Sequence, residues 1–193
     1  IERTVKTFSK ISDIDDIIVV VRESDIPLYE KVLSGYDISY CIGGSTRQES
    51  VSNAVETIDS CDMIIIHDGA RPLVTEKEIL NTLCSAEKYG AAATGVPVKD
   101  TIKVIDNNNK IVDTPKRSSL IAIQTPQIFT FNKYVEAMNC AKMQGEDFTD
   151  DCKLLENINE DVYVVIGDYS NIKITTPDDI PLAESILKLR GEK

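Results

Sequence analysis

Two hydrophobic periodicities alternate along the chain. Short runs of β-branched residues have the length of strands, and longer stretches place apolar residues at helical spacing. This alternation is typical of βαβ units, so it predicts an α/β fold with a Rossmann-like, mostly parallel sheet flanked by helices. The predicted strands are 17–21, 63–67, 91–96, 121–124, 162–166 and 172–175. The predicted helices are 1–9, 26–33, 48–58, 76–89, 132–143, 150–157 and 178–189.

One strand and one helix carry the clearest burial signals. The run Ile64-Ile65-Ile66 has no polar alternation, which favours a central strand covered on both faces. The helix that begins near Gln48 places apolar residues at i, i+3, i+4 and i+7, the stripe that packs against a sheet. Those residues are Val51, Ala54, Val55 and Ile58.

The pattern changes between about 100 and 117. Two short apolar runs, 101–105 and 111–113, flank an asparagine-rich tip at 106–110. This arrangement predicts a β-hairpin inserted into the α/β series, which would project as an arm. We expect residues 1–193 to form one domain that carries this arm.

Composition narrows the possible functions. The chain has 193 residues with 42% hydrophobic and 27% charged positions, and no apolar run approaches the roughly 18 residues that a membrane helix needs. The net charge of −11 disfavours nucleic acid as a partner, because an acidic surface repels a polyanion. The five cysteines are odd in number and never spaced Cys-x-x-Cys, so we expect reduced, mostly buried thiols in a cytoplasmic protein.

The first candidate segment for chemistry is 43–50. Ligands of open parallel sheets bind beyond the carboxyl ends of the strands, where Gly43 and Gly44 would let the backbone approach a ligand closely. The free N–H groups of the following helix start favour an anion. Simple N-capping by Ser45 or Thr46 is an equally good interpretation of the same residues.

The second candidate segment is 67–72, directly after the most hydrophobic strand. The Asp68 carboxylate, followed by Gly69 and Arg71, offers the hard oxygen ligand and the small neighbour that a Mg²⁺-nucleotide site requires. A turn closed by an Asp68–Arg71 ion pair is the structural alternative. His67 is the only histidine, and we expect a structural role in which neighbouring backbone satisfies its ring.

Two further segments carry cations and hydroxyls. Residues at the two roots of the predicted hairpin and in 124–127 could converge on a phosphate, although each alone is ordinary surface. Lys173 lies among β-branched residues in 171–175, where it could bind an anion or simply point to solvent. In so acidic a protein, an anion site needs local cations.

Taken together, six segments in this order resemble motifs of the cytidylyltransferases that act on sugar-alcohol phosphates. Each motif alone is weak, but their common order makes chance similarity improbable. The segments are Gly-Gly-Ser-Thr-Arg-Gln-Glu-Ser-Val (43–51), His-Asp-Gly-Ala-Arg-Pro (67–72), Pro-Val-Lys-Asp-Thr-Ile-Lys (97–103), Gln-Thr-Pro-Gln (124–127), Thr-Asp-Asp (149–151) and Asn-Ile-Lys-Ile-Thr (171–175).

The resemblance implies a nucleotidyltransferase fold similar to glycosyltransferase A. The implied reaction is attack of a polyol phosphate on the α-phosphorus of CTP, which gives a CDP-alcohol and pyrophosphate. Enzymes for methylerythritol phosphate, in non-mevalonate isoprenoid synthesis, are the better match within the family. The alternatives are an enzyme for ribitol 5-phosphate and a nucleotide-binding module without catalysis.

The resemblance also implies residue roles. Asp68 would hold Mg²⁺ and act in catalysis with Lys173 and Arg117. The residues implied for nucleotide binding are Gly43, Gly44, Arg47, Ser50, Asp68 and Gly69. The residues implied for binding the alcohol phosphate are Thr101, Arg117, Thr125 and Lys173.

The resemblance also bears on the hairpin arm and on the start of the chain. Thr101 and Arg117 lie on the hairpin, which in this family reaches across a homodimer into the neighbouring site. Relatives begin with a strand and a glycine-rich basic loop that the sequence does not contain. We therefore expect roughly 30 residues, one β-loop unit, to be absent from the start, and the given sequence alone to be inactive.

Overall fold

The computed structural model describes residues 1–146, 148 and 150–192. Its helices are α1 (Glu2–Phe8), α2 (Ile26–Val32), α3 (Arg47–Val55), α4 (Glu76–Tyr89), α5 (Phe131–Gln144), α6 (Asp151–Asn157) and α7 (Asp179–Leu189). Its strands are β1 (Ile18–Val21), β2 (Ser39–Ile42), β3 (Met63–Ile66), β4 (Ala91–Pro97), β5 (Val104–Ile105), β6 (Ile111–Asp113), β7 (Ile121–Thr130) and β8 (Tyr163–Ile166).

The strands of the described residues form a main sheet and two smaller pairs. The main sheet has the order β3-β7-β4-β8, in which β4 and β8 are parallel and β7 is antiparallel to both β3 and β4. Strands β3, β4 and β8 therefore run the same way. Strands β1 and β2 form a separate parallel pair. The predicted α/β fold is confirmed, and three of the four strands of the main sheet run the same way. Strand β3 lies at one end of this sheet, so the prediction of a central strand from its isoleucine run is wrong. The run is apolar because Ile64 and Ile66 pack in one core cluster and Ile65 packs against two others.

Strand β4 shows how the sheet is covered on both faces. Ala91 and Ala93 belong to the core cluster formed with α5 and α6, whereas Ala92 belongs to the cluster formed with Leu83 and Ala86 of α4. Successive side chains of a strand point to opposite faces, so the alternation places one helical layer on each side. Small alanine side chains let both layers approach the sheet closely.

The predicted elements differ from the structure at three strands. Strand β7 runs on to Thr130, beyond the predicted end at 124, because it pairs with β3 on one side and β4 on the other. Strand β2 (Ser39–Ile42) is absent from the predicted strands, because it contains only one β-branched residue. The predicted strand 172–175 is wrong: this segment is irregular, and Ile174 N–H donates to the Ala70 carbonyl at 2.8 Å.

The predicted hairpin is confirmed as β5 and β6, which pair antiparallel. At its tip, the Asp106 carboxylate accepts the backbone N–H groups of Asn108 and Lys110, and Asn109 has a positive φ of 62°. The apolar side chains of the hairpin are exposed, namely those of Ile102, Val104, Ile105, Ile111 and Val112. This surface is too apolar for an ordinary solvated arm.

The cysteines are free thiols, as expected, but most of them are not buried. Cys152 is buried, Cys41 and Cys140 are half-buried, and Cys61 and Cys84 are exposed. Burial raises the pKa of the Cys152 thiol well above its usual value, so this thiol is inert.

Helix α4 has the bounds that the sequence predicts, and its caps explain why. The Thr75 hydroxyl accepts the Glu78 N–H, while the Glu78 carboxylate accepts the Thr75 N–H. This reciprocal capping box satisfies two otherwise unpaired donors at the helix start. At the other end, Gly90 takes a φ of 90°, a left-handed conformation that glycine adopts without strain.

The capping box gives a test of fold stability. Thr75→Ala removes the cap, so we expect the free energy of unfolding to fall by about 1 kcal/mol. Ser185→Ala is the control, because the exposed Ser185 hydroxyl only bonds the Pro181 carbonyl within α7. Urea titration should show a clear loss for the first variant and less than about 0.5 kcal/mol for the second. Equal losses would contradict the capping role.

Candidate active site

Three cations surround the carboxylate of Asp68, which follows the end of β3. Lys173 Nζ lies 2.9 Å from Asp68 Oδ2, Arg71 Nε lies 3.4 Å from the same oxygen, and Arg47 Nε lies 3.7 Å from Oδ1. The Asp68 side chain is 15% exposed, so this cluster is only partly screened by solvent. The structure thus brings together the predicted residues Asp68, Lys173 and Arg47.

Burial and charge act in opposite directions on Asp68. Burial raises the pKa of the Asp68 carboxyl, but the neighbouring Lys173, Arg47 and Arg71 outweigh that effect and hold the pKa below its usual value. The carboxylate is therefore ionised throughout the neutral pH range. It is available as a hard anionic ligand.

A turn presents Asp68 and Arg71 on the same side. Arg71 N–H donates to the Asp68 carbonyl at 2.9 Å, which closes the four-residue turn after β3. The ion pair of the structural alternative is therefore present, but it belongs to a larger cluster. Gly69 lies within this turn, where an added Cβ would approach the Ile1 side chain to 3.1 Å.

Thr125 of β7 lies directly behind Asp68. Its hydroxyl oxygen accepts the Asp68 N–H at 3.1 Å and lies 3.0 Å from His67 Nδ1. The residue is only 3% exposed. Thr125 thus borders the cluster from the sheet side, and its hydroxyl is already engaged by protein groups.

Lys173 is positioned by the irregular segment that follows β8. Asn171 is fully buried. Its side-chain amide donates to the Thr125 main-chain carbonyl at 2.9 Å, and its main-chain carbonyl accepts from Arg71 Nη1 at 2.8 Å. Together with the main-chain bond from Ile174 to Ala70, these contacts anchor the segment on both sides of Lys173. The ammonium group is thereby directed at Asp68.

A cleft of about 600 Å³ opens beside this cluster. Gly43, Gly44, Arg47 and Ser50 line it, which are four of the residues expected to bind nucleotide. Ser50 Oγ accepts the Gly44 N–H at 3.0 Å and so fixes the glycine loop. A Cβ on Gly44 would come within 2.2 Å of the Glu49 side chain, so the close packing requires glycine here.

The N-capping interpretation of segment 43–50 is also correct. Thr46 is the N-cap of α3, where its hydroxyl accepts the Glu49 N–H. The Glu49 carboxylate in turn accepts from Ser45 N–H at 2.7 Å. Capping and cleft formation therefore coexist, because Ser45 and Thr46 take part in the cap and also line the cleft.

Arg47 connects the cleft to a buried polar network that the sequence did not predict. Its Nη2 lies 2.7 Å from Asp151 Oδ2, and the Tyr134 hydroxyl donates to Asp151 Oδ1 at 2.6 Å. Burial lowers the pKa of the Arg47 guanidinium, but Asp151 outweighs it, so the pKa is raised. Asp151 belongs to the Thr-Asp-Asp motif, whose Thr149 lies outside the described residues.

The contacts of the predicted hairpin residues are made at the arm itself. Arg117 Nη1 donates to the Lys99 carbonyl at 2.9 Å, at the root of the arm. Among the hydrogen bonds and ion pairs of the described residues, none joins Thr101 or Arg117 to Asp68.

The donor set fits a divalent cation only if substrate oxygens complete its coordination. No group of three or more His, Cys, Asp or Glu side chains within residues 1–146, 148 and 150–192 could hold a metal. Mg²⁺ in nucleotide enzymes commonly uses one or two carboxylates together with phosphate oxygens and water. Asp68, as a single carboxylate beside the cleft, suits that mode.

The fold and this site define a nucleotidyltransferase: a mostly parallel α/β sheet with a cleft, a carboxylate and cations beyond its strand ends. A family model described as IspD, 2-C-methyl-D-erythritol 4-phosphate cytidylyltransferase, matches residues 1–189. The chain belongs to this family, and its class of activity is cytidylyl transfer.

Curated relatives carry the same description. A protein from Clostridium perfringens (strain SM101 / Type A) is 43% identical over 189 residues, with 96% of this chain and 84% of the relative covered. One from Clostridium beijerinckii (strain ATCC 51743 / NCIMB 8052) is 46% identical over 189 residues, with the same coverage. Both are named 2-C-methyl-D-erythritol 4-phosphate cytidylyltransferase.

Solved structures agree with the fold. The 4-diphosphocytidyl-2C-methyl-D-erythritol synthase of Anaerococcus prevotii DSM 20548 matches with a TM-score of 0.92 and 36% identity, covering 97% of this chain and 88% of that one. The enzyme from Thermus thermophilus matches with a TM-score of 0.83 and 28% identity, covering 96% and 87%. None of the helices formed by the described residues is long and apolar enough to cross a bilayer.

The His67 ring contacts neighbouring backbone, as the sequence predicts: its Nε2 lies 3.1 Å from the Arg71 main-chain carbonyl oxygen. Burial lowers the pKa of the imidazole to about 4, mainly because the charged form cannot be solvated there. The ring is therefore neutral at pH 7. Its ordinary unfolded value lies near ~6.5.

This difference predicts a pH dependence of stability. Between pH 6.5 and 4 the unfolded chain binds a proton at His67 that the folded chain does not, so the free energy of unfolding falls as pH falls, by up to about 3 kcal/mol. His67→Asn should remove that part of the slope. Urea titrations of both proteins across this window provide the measurement, and parallel curves would show that the folded imidazole titrates normally.

Proposed function

We propose that this protein transfers the cytidylyl group of CTP to 2-C-methyl-D-erythritol 4-phosphate, within isoprenoid biosynthesis. The phosphate oxygen of the alcohol attacks the α-phosphorus, and the bond from that phosphorus to the β-phosphate bridging oxygen breaks. The products are 4-diphosphocytidyl-2-C-methyl-D-erythritol and pyrophosphate. The observation that supports this most directly is the convergence of three cations on Asp68 beside the cleft.

In this proposal the cleft binds the nucleotide. The loop of Gly43 and Gly44, fixed by Ser50, would place backbone groups against the cytosine edge, where they can distinguish one base from another. Gly69, which has no side chain, would leave room for the nucleotide beside Asp68. Arg47 would face the phosphates, because its guanidinium lies between the cleft and Asp68.

Catalysis would depend on positioning and charge neutralisation rather than on a base. A phosphate monoester has a second pKa near ~6 and is largely a dianion at pH 7, so the nucleophile needs no proton removed. Lys173 would neutralise charge that develops around the α-phosphate. This explains how the reaction proceeds although the imidazole of His67 is buried and engaged.

We assign Mg²⁺ to Asp68, because Asp68 is the ionised carboxylate at the strand ends beside the cleft. When bound, the metal would supply positive charge to the triphosphate. Lys173 and Arg47 would then be released from Asp68 to contact phosphate oxygens. The ion pairs of the structure would thus hold the cations in place before substrate arrives.

We further propose that the arm acts across a homodimer. Among the described residues, neither Arg117 nor Thr101 forms a hydrogen bond or ion pair with Asp68, and the apolar side chains of the arm are exposed. Both facts are explained if the arm packs on a second copy and brings Arg117 to the alcohol phosphate there. In this view residues 1–193 form one catalytic domain with an arm, and the free thiols favour the cytoplasm.

The assignment of Asp68 is testable by substitution in the complete gene product. Asp68→Asn should lower kcat by about a hundredfold or more while the thermal unfolding temperature changes little, because asparagine keeps the size of the side chain and Asp68 lies outside the apolar core. Glu56→Gln is the control, since that carboxylate pairs with Lys142 on a distant surface. A pyrophosphate-release assay measures both.

Metal removal tests the second part of this assignment, namely that a divalent cation is required. Excess chelator should stop pyrophosphate release, and added Mg²⁺ should restore it to the native protein. Continued turnover in chelator would refute the metal. Full activity of Asp68→Asn with ordinary Mg²⁺ dependence would refute Asp68 as its ligand.

The arm predicts complementation between two defective variants. Arg117→Ala should raise the KM for the alcohol phosphate, and Lys173→Ala should lower kcat. A mixed dimer of the two has one site with both residues intact, so re-association of an equal mixture should restore about a quarter of native activity. Lys110→Ala, at the arm tip, serves as the control. Activity of the mixture no greater than the average of its components would place Arg117 in its own subunit's site.

A further inference from the structure

His67 connects two groups of the turn that carries Asp68. Its Nε2 lies 3.1 Å from the Arg71 carbonyl oxygen, at the end of the turn. Its Nδ1 lies 3.0 Å from Thr125 Oγ1, which also accepts the Asp68 N–H at 3.1 Å. A single ring therefore reaches the last residue of the turn directly and the first residue through one hydroxyl.

The partners determine where each proton lies. A carbonyl oxygen only accepts hydrogen bonds, so Nε2 must carry the hydrogen that points at Arg71. In a neutral imidazole Nδ1 then has a lone pair, and the Thr125 hydroxyl donates to it. The Thr125 oxygen is thereby oriented to accept the Asp68 N–H.

We propose that His67 is a positioning residue that holds Asp68 in the cation cluster through the hydroxyl of Thr125. The proposal rests on the proposed function in one respect, namely that Asp68 matters for cytidylyl transfer. It gives His67 a role beyond filling the core, and it gives Thr125 a role that needs no contact with substrate.

The hydroxyl of Thr125 has no proton left for a phosphate. Its one hydrogen is directed to His67, and the side chain lies at 3% exposure between β3 and β7. A phosphate dianion only accepts hydrogen bonds, so it gains nothing from a hydroxyl whose hydrogen is already engaged. Thr125 therefore contributes by fixing the Asp68 main chain.

The tautomer is measurable without any substitution, because the chain contains one histidine. In protein labelled with ¹⁵N-histidine, the imidazole should show a protonated Nε2 and an unprotonated Nδ1 at pH 7. A protonated Nδ1, or rapid averaging of the two nitrogens, would overturn the proposal. This measurement is independent of catalysis, so it stands even if the protein proves to transfer another group.

Substitution tests the connection to Asp68. Thr125→Val and His67→Phe keep shape but break the chain of hydrogen bonds, so the Asp68 amide should exchange its hydrogen about tenfold faster in each. Thr125→Ser keeps a hydroxyl and should restore slow exchange. The matched control is Thr130→Val, at the other end of β7, where the hydroxyl bonds the Gly90 carbonyl.

A double-mutant cycle separates positioning from general destabilisation. If His67 acts through Thr125, the double variant of His67→Phe and Thr125→Val should lose no more kcat than Thr125→Val alone. The half-saturating Mg²⁺ concentration should rise about threefold to tenfold in Thr125→Val and by the same factor in the double variant. Additive losses, or unchanged Mg²⁺ dependence in all variants, would overturn the proposal. Loss of all activity in native protein, with the expected tautomer and amide exchange, would instead reject the proposed function alone.

Discussion

The carboxylate of Asp68 is the charge on which the site depends. Lys173, Arg47 and Arg71 each come within 4 Å of it, although like charges at such distances repel one another. The shared anion makes their convergence possible in the absence of substrate. Because the carboxylate stays ionised, the cluster keeps the same charge across the neutral pH range. In the proposed function, an incoming phosphate would therefore meet cations that are already placed.

Two antiparallel strands of the main sheet position Asp68 and Thr125 next to each other. Asp68 follows the carboxyl end of β3, where ligand-binding residues of parallel sheets are expected. Thr125 comes from the middle of β7, which is antiparallel to β3, and the pairing of Ile66 with Gln127 brings Thr125 level with Asp68. The rule for strand ends therefore identifies one of these residues, and the register of the ladder supplies the other.

Sequence reasoning succeeded where the signal was local. The apolar stripe and N-cap of α3 and the bounds of α4 lie within short windows, and periodicity or capping chemistry identifies them. The isoleucine run identifies β3 as a strand, but its place at the edge of the main sheet depends on pairing with β7, which the run does not encode. The network of Arg47, Asp151 and Tyr134 joins α3 to α5 and α6, and nothing near any of these residues indicates its partners. The role of His67 was equally hidden, because it depends on which nitrogen bears a proton.

Charge balance favours the proposal that a metal and a second subunit complete the site. The three cations share two carboxylates, Asp68 and Asp151, which leaves one net positive charge. A nucleoside triphosphate and a phosphate monoester bring several negative charges into a protein whose net charge is already −11. In the proposed function, a divalent metal at Asp68 would supply part of the difference. The cationic arm, with Arg117 held at its root by the Lys99 carbonyl, is the other source of positive charge that the proposed dimer would bring to the site.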